Sequence, residues 1–134
     1  MVYSRPGERA MAHRILVADD DPAARIELEK TLSLAGYTVH VASGGHEAVE
    51  MFRKHRQTYN LAIVDLLLPD LDGKRILEEI VKLSPSTAVI MASGFSREYA
   101  RSSLSAGSWR YLQKPFDPET VLSTVKKTLG QSTA

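Results

Sequence analysis

The chain has no cysteine among its 134 residues. Disulfides, thiolate zinc sites and thiol catalysis are therefore excluded, and a reducing compartment suits it. It also lacks an excess of either charge: 17 Lys and Arg stand against 16 Asp and Glu, for a formal net charge of +1. No global field draws it to DNA or to an acidic membrane. No apolar run approaches the roughly 18 residues that cross a bilayer, and the longest candidate, 61–68, is broken by Asp65. There is no internal repeat and no low-complexity block. Residues 1–12 contain no apolar core of signal-peptide type. They read as a flexible arm, native or left over from expression, with Met11 an alternative natural start. Residues 131–134 read as a frayed tail or the start of a linker. What remains, 13–130, is one domain's worth of chain.

Within it, five short β-rich apolar runs alternate with five helix-like segments. The runs are 15–18, 38–42, 61–64, 88–92 and 111–112. Most are continuous rather than alternating, which predicts strands buried on both faces. Spacings of three and four mark the helices: Ala24, Leu28, Leu32 and Ala35 before Gly36; Ala48, Val49 and Phe52; Ile76, Leu77, Ile80 and Leu83 before Pro85; Val121, Leu122, Val125 and Leu129 before Gly130. Asp21-Pro22 and Asp117-Pro118-Glu119 open helices as N-cap and first position. The fourth helix, about 96–106, has three serines and few large apolar residues, so it is expected to be the least stable. Strict β/α alternation predicts a doubly wound parallel sheet, whose ligands sit outside the C-terminal strand ends.

The sequence places chemistry at that edge. Asp19-Asp20-Asp21 follows the first strand, Asp65 the third, Ser93-Gly94 the fourth and Lys114-Pro115 the fifth. Converging carboxylates repel one another and need a cation; Lys114 supplies one charge, and an all-oxygen set suits Mg²⁺. The four histidines are scattered and are expected on solvated surface. Each piece also has an ordinary reading. Asp21 is a cap, Asp72-Gly73 a turn, Ser93 a loop serine and Lys114-Pro115 a surface turn. Asp65 is the exception, because a carboxylate inside an apolar run is costly unless paired or functional. Trp109 is expected to pack rather than to contact a partner.

Taken together these motifs resemble a response-regulator receiver domain, the flavodoxin-like module of two-component signalling, over about residues 14–130. Asp19-Asp20 is similar to its metal-binding acidic pair, and Asp65-Leu-Leu-Leu-Pro69-Asp-Leu-Asp72-Gly73 to its phosphoacceptor loop. Ser93-Gly94 matches the switch hydroxyl, Lys114-Pro115-Phe116 the characteristic lysine, and Tyr111 the aromatic switch position. The resemblance implies a five-stranded parallel sheet in the order 2-1-3-4-5 with five helices. It implies Mg²⁺ on Asp19, Asp20, Asp65 and the backbone carbonyl of Leu67, with Asp65 as phosphoacceptor. It implies a phosphohistidine donor on a sensor histidine kinase or histidine phosphotransferase. The output is a changed helix-four, strand-five and helix-five surface that controls a downstream protein or attached output domain.

Such a chain is expected to be cytoplasmic, to act as no enzyme beyond self-phosphotransfer and slow self-dephosphorylation, to bind neither nucleic acid nor membrane, and to be a monomer or a phosphorylation-dependent homodimer. Leu67 and Phe95 stand where many relatives carry polar groups, which predicts a long-lived phosphoform. Three other readings compete. A haloacid-dehalogenase-type phosphatase would use Asp19-x-Asp21, but room for a cap domain is lacking and Asp65 is left unexplained. A pseudo-receiver would be a binding module never phosphorylated. A nucleotide or flavin binder would need a glycine-rich loop where acids stand.

Overall fold

The computed structural model describes residues 13–55, 58–104 and 109–130; the predicted arm at 1–12 and tail at 131–134 lie outside them. The strands are β1 (Arg14–Ala18), β2 (Thr38–Ala42), β3 (Leu61–Asp65), β4 (Ala88–Ser93) and β5 (Arg110–Gln113). They alternate with α1 (Pro22–Leu34), α2 (Gly45–Lys54), α3 (Gly73–Leu83), α4 (Arg97–Ser103) and α5 (Pro118–Thr128). All strand pairs are parallel, in the order β2-β1-β3-β4-β5. This is the doubly wound order, with its switch point between β1 and β3.

Period-two alternation divides each central strand between two cores. Ile15, Val17, Leu61, Ile63, Ile90 and Ala92 pack with Leu28 and Leu32 of α1 and Val121 and Val125 of α5. Leu16, Ala18, Ala62, Val64, Val89 and Met91 face the other way, onto α2, α3 and α4 through Phe52, Ile76, Ile80 and Ala100. Burial on both faces holds for β1, β3 and β4. It fails for β2, which is mostly half-buried, and for β5, whose end residues are exposed, because these are the two edges of the sheet.

The helix ends follow the sequence signals. Asp21 accepts from Ala23 N–H and Asp117 from Thr120 N–H. Gly36, at φ +101°, follows the capping Ala35 in the left-handed conformation that glycine tolerates. Asp72-Gly73 is not a simple turn. Asp72 caps α3 by accepting from Arg75 N–H at 2.9 Å. A Cβ on Gly73 would lie 2.7 Å from Leu66 Cδ1 and 2.9 Å from the Leu66 carbonyl oxygen. The glycine thus lets α3 start against the sheet.

The described part of the weak fourth helix is shorter than the predicted 96–106, running from Arg97 to Ser103 and burying only Ala100. Residue 106 lies outside the described residues. Trp109 packs, half-buried, against the α2–α3–α4 side of the core. The expectation of solvated histidines fails for His13 and His40, which are half-buried, His13 with its ring 6.5 Å from that of Tyr37 and His40 with Nδ1 2.8 Å from the Tyr59 hydroxyl. Tyr59 is buried, and its phenol needs a polar partner there.

Candidate functional site

Each polar group of the predicted constellation ends up at one edge because each ends a buried strand or follows one. Asp65 and Ser93 are the last residues of β3 and β4 rather than the first residues of the loops. The ladder still carries them, pairing Asp65 with Ala92 and Ser93 with Gln113. Asp19 follows β1, with its N–H bonded to the Ala42 carbonyl at 3.1 Å. Lys114 follows β5, and its N–H donates to the Ser93 carbonyl at 2.7 Å.

Carboxylate oxygens of Asp19, Asp20 and Asp65 lie within 4.8 Å of one another. Asp19 is 1% exposed and Asp65 9%, whereas Asp20 faces solvent. The Lys114 ammonium spans two of the three, at 2.7 Å from Asp19 Oδ2 and 3.0 Å from Asp65 Oδ2. The remaining oxygens of these two accept backbone N–H groups. Asp21 donates to Asp19 Oδ1 and Leu67 to Asp65 Oδ1, both at 3.0 Å. Burial pushes the Asp19 carboxyl above its ordinary range, against the pull of Lys114 and the Asp21 N–H and with the help of the Asp65 charge. Burial pulls the Lys114 ammonium down, but its hydrogen bonds to Asp19 and Asp65 outweigh that and hold it above the ordinary lysine range.

Three carboxylates against one ammonium leave negative charge uncompensated in a partly desolvated place. A hard divalent cation with oxygen ligands fits this donor set. Asp19, Asp20 and Asp65 would hold it, and no other cluster of three such groups occurs among the described residues. An open groove beside the cluster is lined by Asp21, Ala24, Gly94, Lys114 and Phe116.

Ser93, 2% exposed, links this site to the α4 side. Its hydroxyl oxygen accepts the Phe95 N–H at 2.9 Å, and its carbonyl accepts the Tyr111 hydroxyl at 3.3 Å. The Tyr111 ring already lies inward in this structure, buried, with the Arg97 guanidinium 5.9 Å from its centroid. Leu67 (45% exposed) and Phe95 (50% exposed), two residues after Asp65 and Ser93, lie on the outside, and the Phe95 ring packs tilted against Tyr99 with centroids 4.8 Å apart.

Sequence reasoning missed Asp70. Its carboxylate accepts the N–H groups of Gly45 and His46 at 2.8 and 3.0 Å, capping α2 across the fold. Those bonds hold the Asp70 carboxyl below its ordinary range. The readable signal was local: α2 begins with Gly44-Gly45 and has no capping side chain of its own. Arg25 was missed too; its guanidinium donates to the Asp19 carbonyl at 2.8 Å.

An open parallel sheet with three acids at its C-terminal edge, two of them paired with one lysine, defines a class of α/β proteins with an acidic site at the topological switch point. The comparisons narrow this. The profile of the response regulator receiver domain matches residues 15–126. The chain belongs to that family and is a receiver domain of two-component signalling, of the CheY type. The chemotaxis protein CheY of Bacillus subtilis is 32% identical over 122 residues, 90% of this chain and 100% of that protein. The sensor kinase CckA of Brucella abortus is 31% identical over 116 residues, 86% of this chain but 12% of CckA. A CheY-like receiver domain from Methanospirillum hungatei superposes with a TM-score of 0.81 at 35% identity, covering 89% of this chain and 94% of the other. The phosphatase, pseudo-receiver and nucleotide-binder readings are not favoured.

Proposed function

We propose that this domain accepts a phosphoryl group on Asp65 from a phosphohistidine donor, with Mg²⁺ bound at the acidic cluster, and passes the signal on by altering the α4–β5–α5 surface. The observation that carries the reading is Asp65 itself: a buried carboxylate paired with Lys114 at 3.0 Å, beside two further acids, at an open edge. A carboxylate is ionised at neutral pH and needs no general base to act as a nucleophile. An Asp65 oxygen forms a bond to phosphorus as the donor's N–P bond breaks. The departing imidazole keeps that electron pair and takes up a proton.

Lys114 pairs with a phosphoryl oxygen, and the Ser93 hydroxyl, which accepts the Phe95 N–H, donates to another. Asp19, Asp20, Asp65 and the Leu67 carbonyl would hold Mg²⁺, which would supply charge neutralisation between carboxylates and phosphoryl oxygens. Positioning and charge do the rest, as in other phosphoryl transfers.

The output follows from what converges on Ser93. A hydroxyl drawn toward a phosphoryl group pulls on a residue whose carbonyl holds both Lys114 N–H and the Tyr111 hydroxyl. Tyr111 packs in the core beside α4, the helix that buries only one residue. A partner that prefers one arrangement reads the change. The partners are a sensor histidine kinase or histidine phosphotransferase and a downstream protein or attached output domain, in the cytoplasm. The domain is a phosphorylated substrate with self-transfer activity, not a multiple-turnover enzyme.

Acetyl phosphate labelling followed by peptide mass mapping tests this. One phosphoryl group is expected on Asp65 in the wild type with Mg²⁺, and none in Asp65→Asn or in chelator. Label elsewhere refutes the acceptor assignment. Amide shifts near Ser93 and Tyr111 that stay fixed on adding beryllofluoride refute the switch.

A further inference from the structure

The mechanism above uses the Asp19 and Asp20 side chains but not the arginine that holds the backbone between them. Arg25 sits at the fourth position of α1, where the helix dipole disfavours a cation. Its half-buried side chain turns back across six residues, and Nη1 donates to the Asp19 carbonyl at 2.8 Å. That carbonyl and the Asp20 N–H belong to one rigid peptide plane. Asp19 is otherwise held by the Ala42 carbonyl, the Asp21 N–H and Lys114. Asp20 is exposed, so its placement follows from that plane.

In the loop after β2, the Glu47 carboxylate accepts both the N–H and the hydroxyl of Ser43 at 2.8 and 2.9 Å; these bonds, with a lesser pull from the Arg25 charge, hold it below its ordinary range.

We infer that Arg25 is a positioning residue for the divalent-cation site: by fixing the Asp19–Asp20 peptide plane it sets the Asp20 carboxylate over the cluster. This rests on the Mg²⁺ reading above. Its sign is diagnostic. By charge alone, a nearby guanidinium repels Mg²⁺, so deleting it would tighten binding; by positioning, deleting it weakens binding.

The test uses the full chain and its Arg25→Met, Arg25→Lys and Arg25→Gln variants, with Asp20→Asn as the control that lacks the ligand. Mg²⁺ affinity is read by calorimetry and amide-shift titration. The Mg²⁺ dependence of acetyl phosphate labelling is read separately. Losing one charged hydrogen bond is expected to weaken Mg²⁺ binding about tenfold in Arg25→Met. Arg25→Lys, which retains a donor and the charge, recovers most of it, and Arg25→Gln, which loses the charge and the reach, behaves like Arg25→Met. Labelling of Arg25→Met reaches the wild-type rate at saturating Mg²⁺, with only the half-saturating concentration raised. If Arg25→Met is unfolded, Arg25→Gln takes its place, and Mg²⁺ binding in it as tight as in the wild type overturns the inference.

Unchanged or tighter Mg²⁺ binding in Arg25→Met overturns it, as does Arg25→Lys behaving no better than Arg25→Met, or a lowered saturating rate at unchanged half-saturation. Wild type that binds no Mg²⁺ refutes both the metal reading and this inference. Wild type that binds and loses binding in Asp20→Asn, with Arg25→Met unaffected, refutes this inference alone.

Discussion

Removing a charge from the acidic cluster should stabilise the metal-free protein. Asp20 is the clean place to do it, because it is exposed and its carboxylate lies within 4.8 Å of Asp19 and Asp65 oxygens. At that distance one like-charge pair costs between about 0.9 kcal/mol in water and about 3.5 kcal/mol at an effective dielectric of 20. Asp20 meets two negative charges and the Lys114 ammonium, so one uncompensated repulsion remains. Its exposure selects the low end of the range. Asp20→Asn is therefore expected to gain about 1 kcal/mol in chelator, which raises the melting temperature by several degrees.

With Mg²⁺ the order reverses. A cation at ten times its dissociation constant stabilises the wild type by about 1.4 kcal/mol, and the variant has lost a ligand. Urea unfolding of both proteins, in chelator and in Mg²⁺, gives the four numbers. A destabilised Asp20→Asn in chelator, or equal Mg²⁺ stabilisation of both proteins, refutes the view that the acids are held together against their repulsion for the sake of a cation.

Gly73→Ala places a Cβ 2.7 Å from Leu66 Cδ1 and is expected to cost about 1–3 kcal/mol by overpacking at the start of α3, read by urea unfolding. Asp70→Ala removes the cap of α2 and is expected to cost about 1 kcal/mol at neutral pH. Because the folded Asp70 carboxyl is held below its ordinary value of about 4, its contribution is complete above that value. It is lost as the pH falls through the depressed one, so the gap between wild type and variant closes in acid. A gap independent of pH refutes the charged cap. Leu67→Asn puts a polar group beside the acceptor in place of apolar bulk, and loss of label from phosphorylated protein is expected to quicken severalfold. A wild-type lifetime of seconds with Mg²⁺, unchanged in Leu67→Asn, refutes shielding by Leu67.

The five strands, the five helices and the edge that carries the chemistry were legible in the sequence, because buried parallel strands write themselves as short apolar runs; the strand order came only with the resemblance to receiver domains. Asp65 was legible for a related reason: a charge inside such a run demands a partner. The same local logic located the caps Asp21 and Asp117, whose partners lie two or three residues away.

What the chain sequence could not state was which distant groups meet. Asp70 finds the start of α2 about 25 residues back, and His40 meets Tyr59 across 19. The edge strands β2 and β5 read like the buried ones, and only the sheet's order exposes them. Local propensity and period are properties of a few neighbouring residues, so the sequence alone determined the elements and the residue types at their ends. Distances between those ends are set by how two cores pack against one sheet, so tertiary structure decided how closely Asp19, Asp20, Asp65 and Lys114 meet, that Arg25 bonds the Asp19 carbonyl and that Asp70 caps α2.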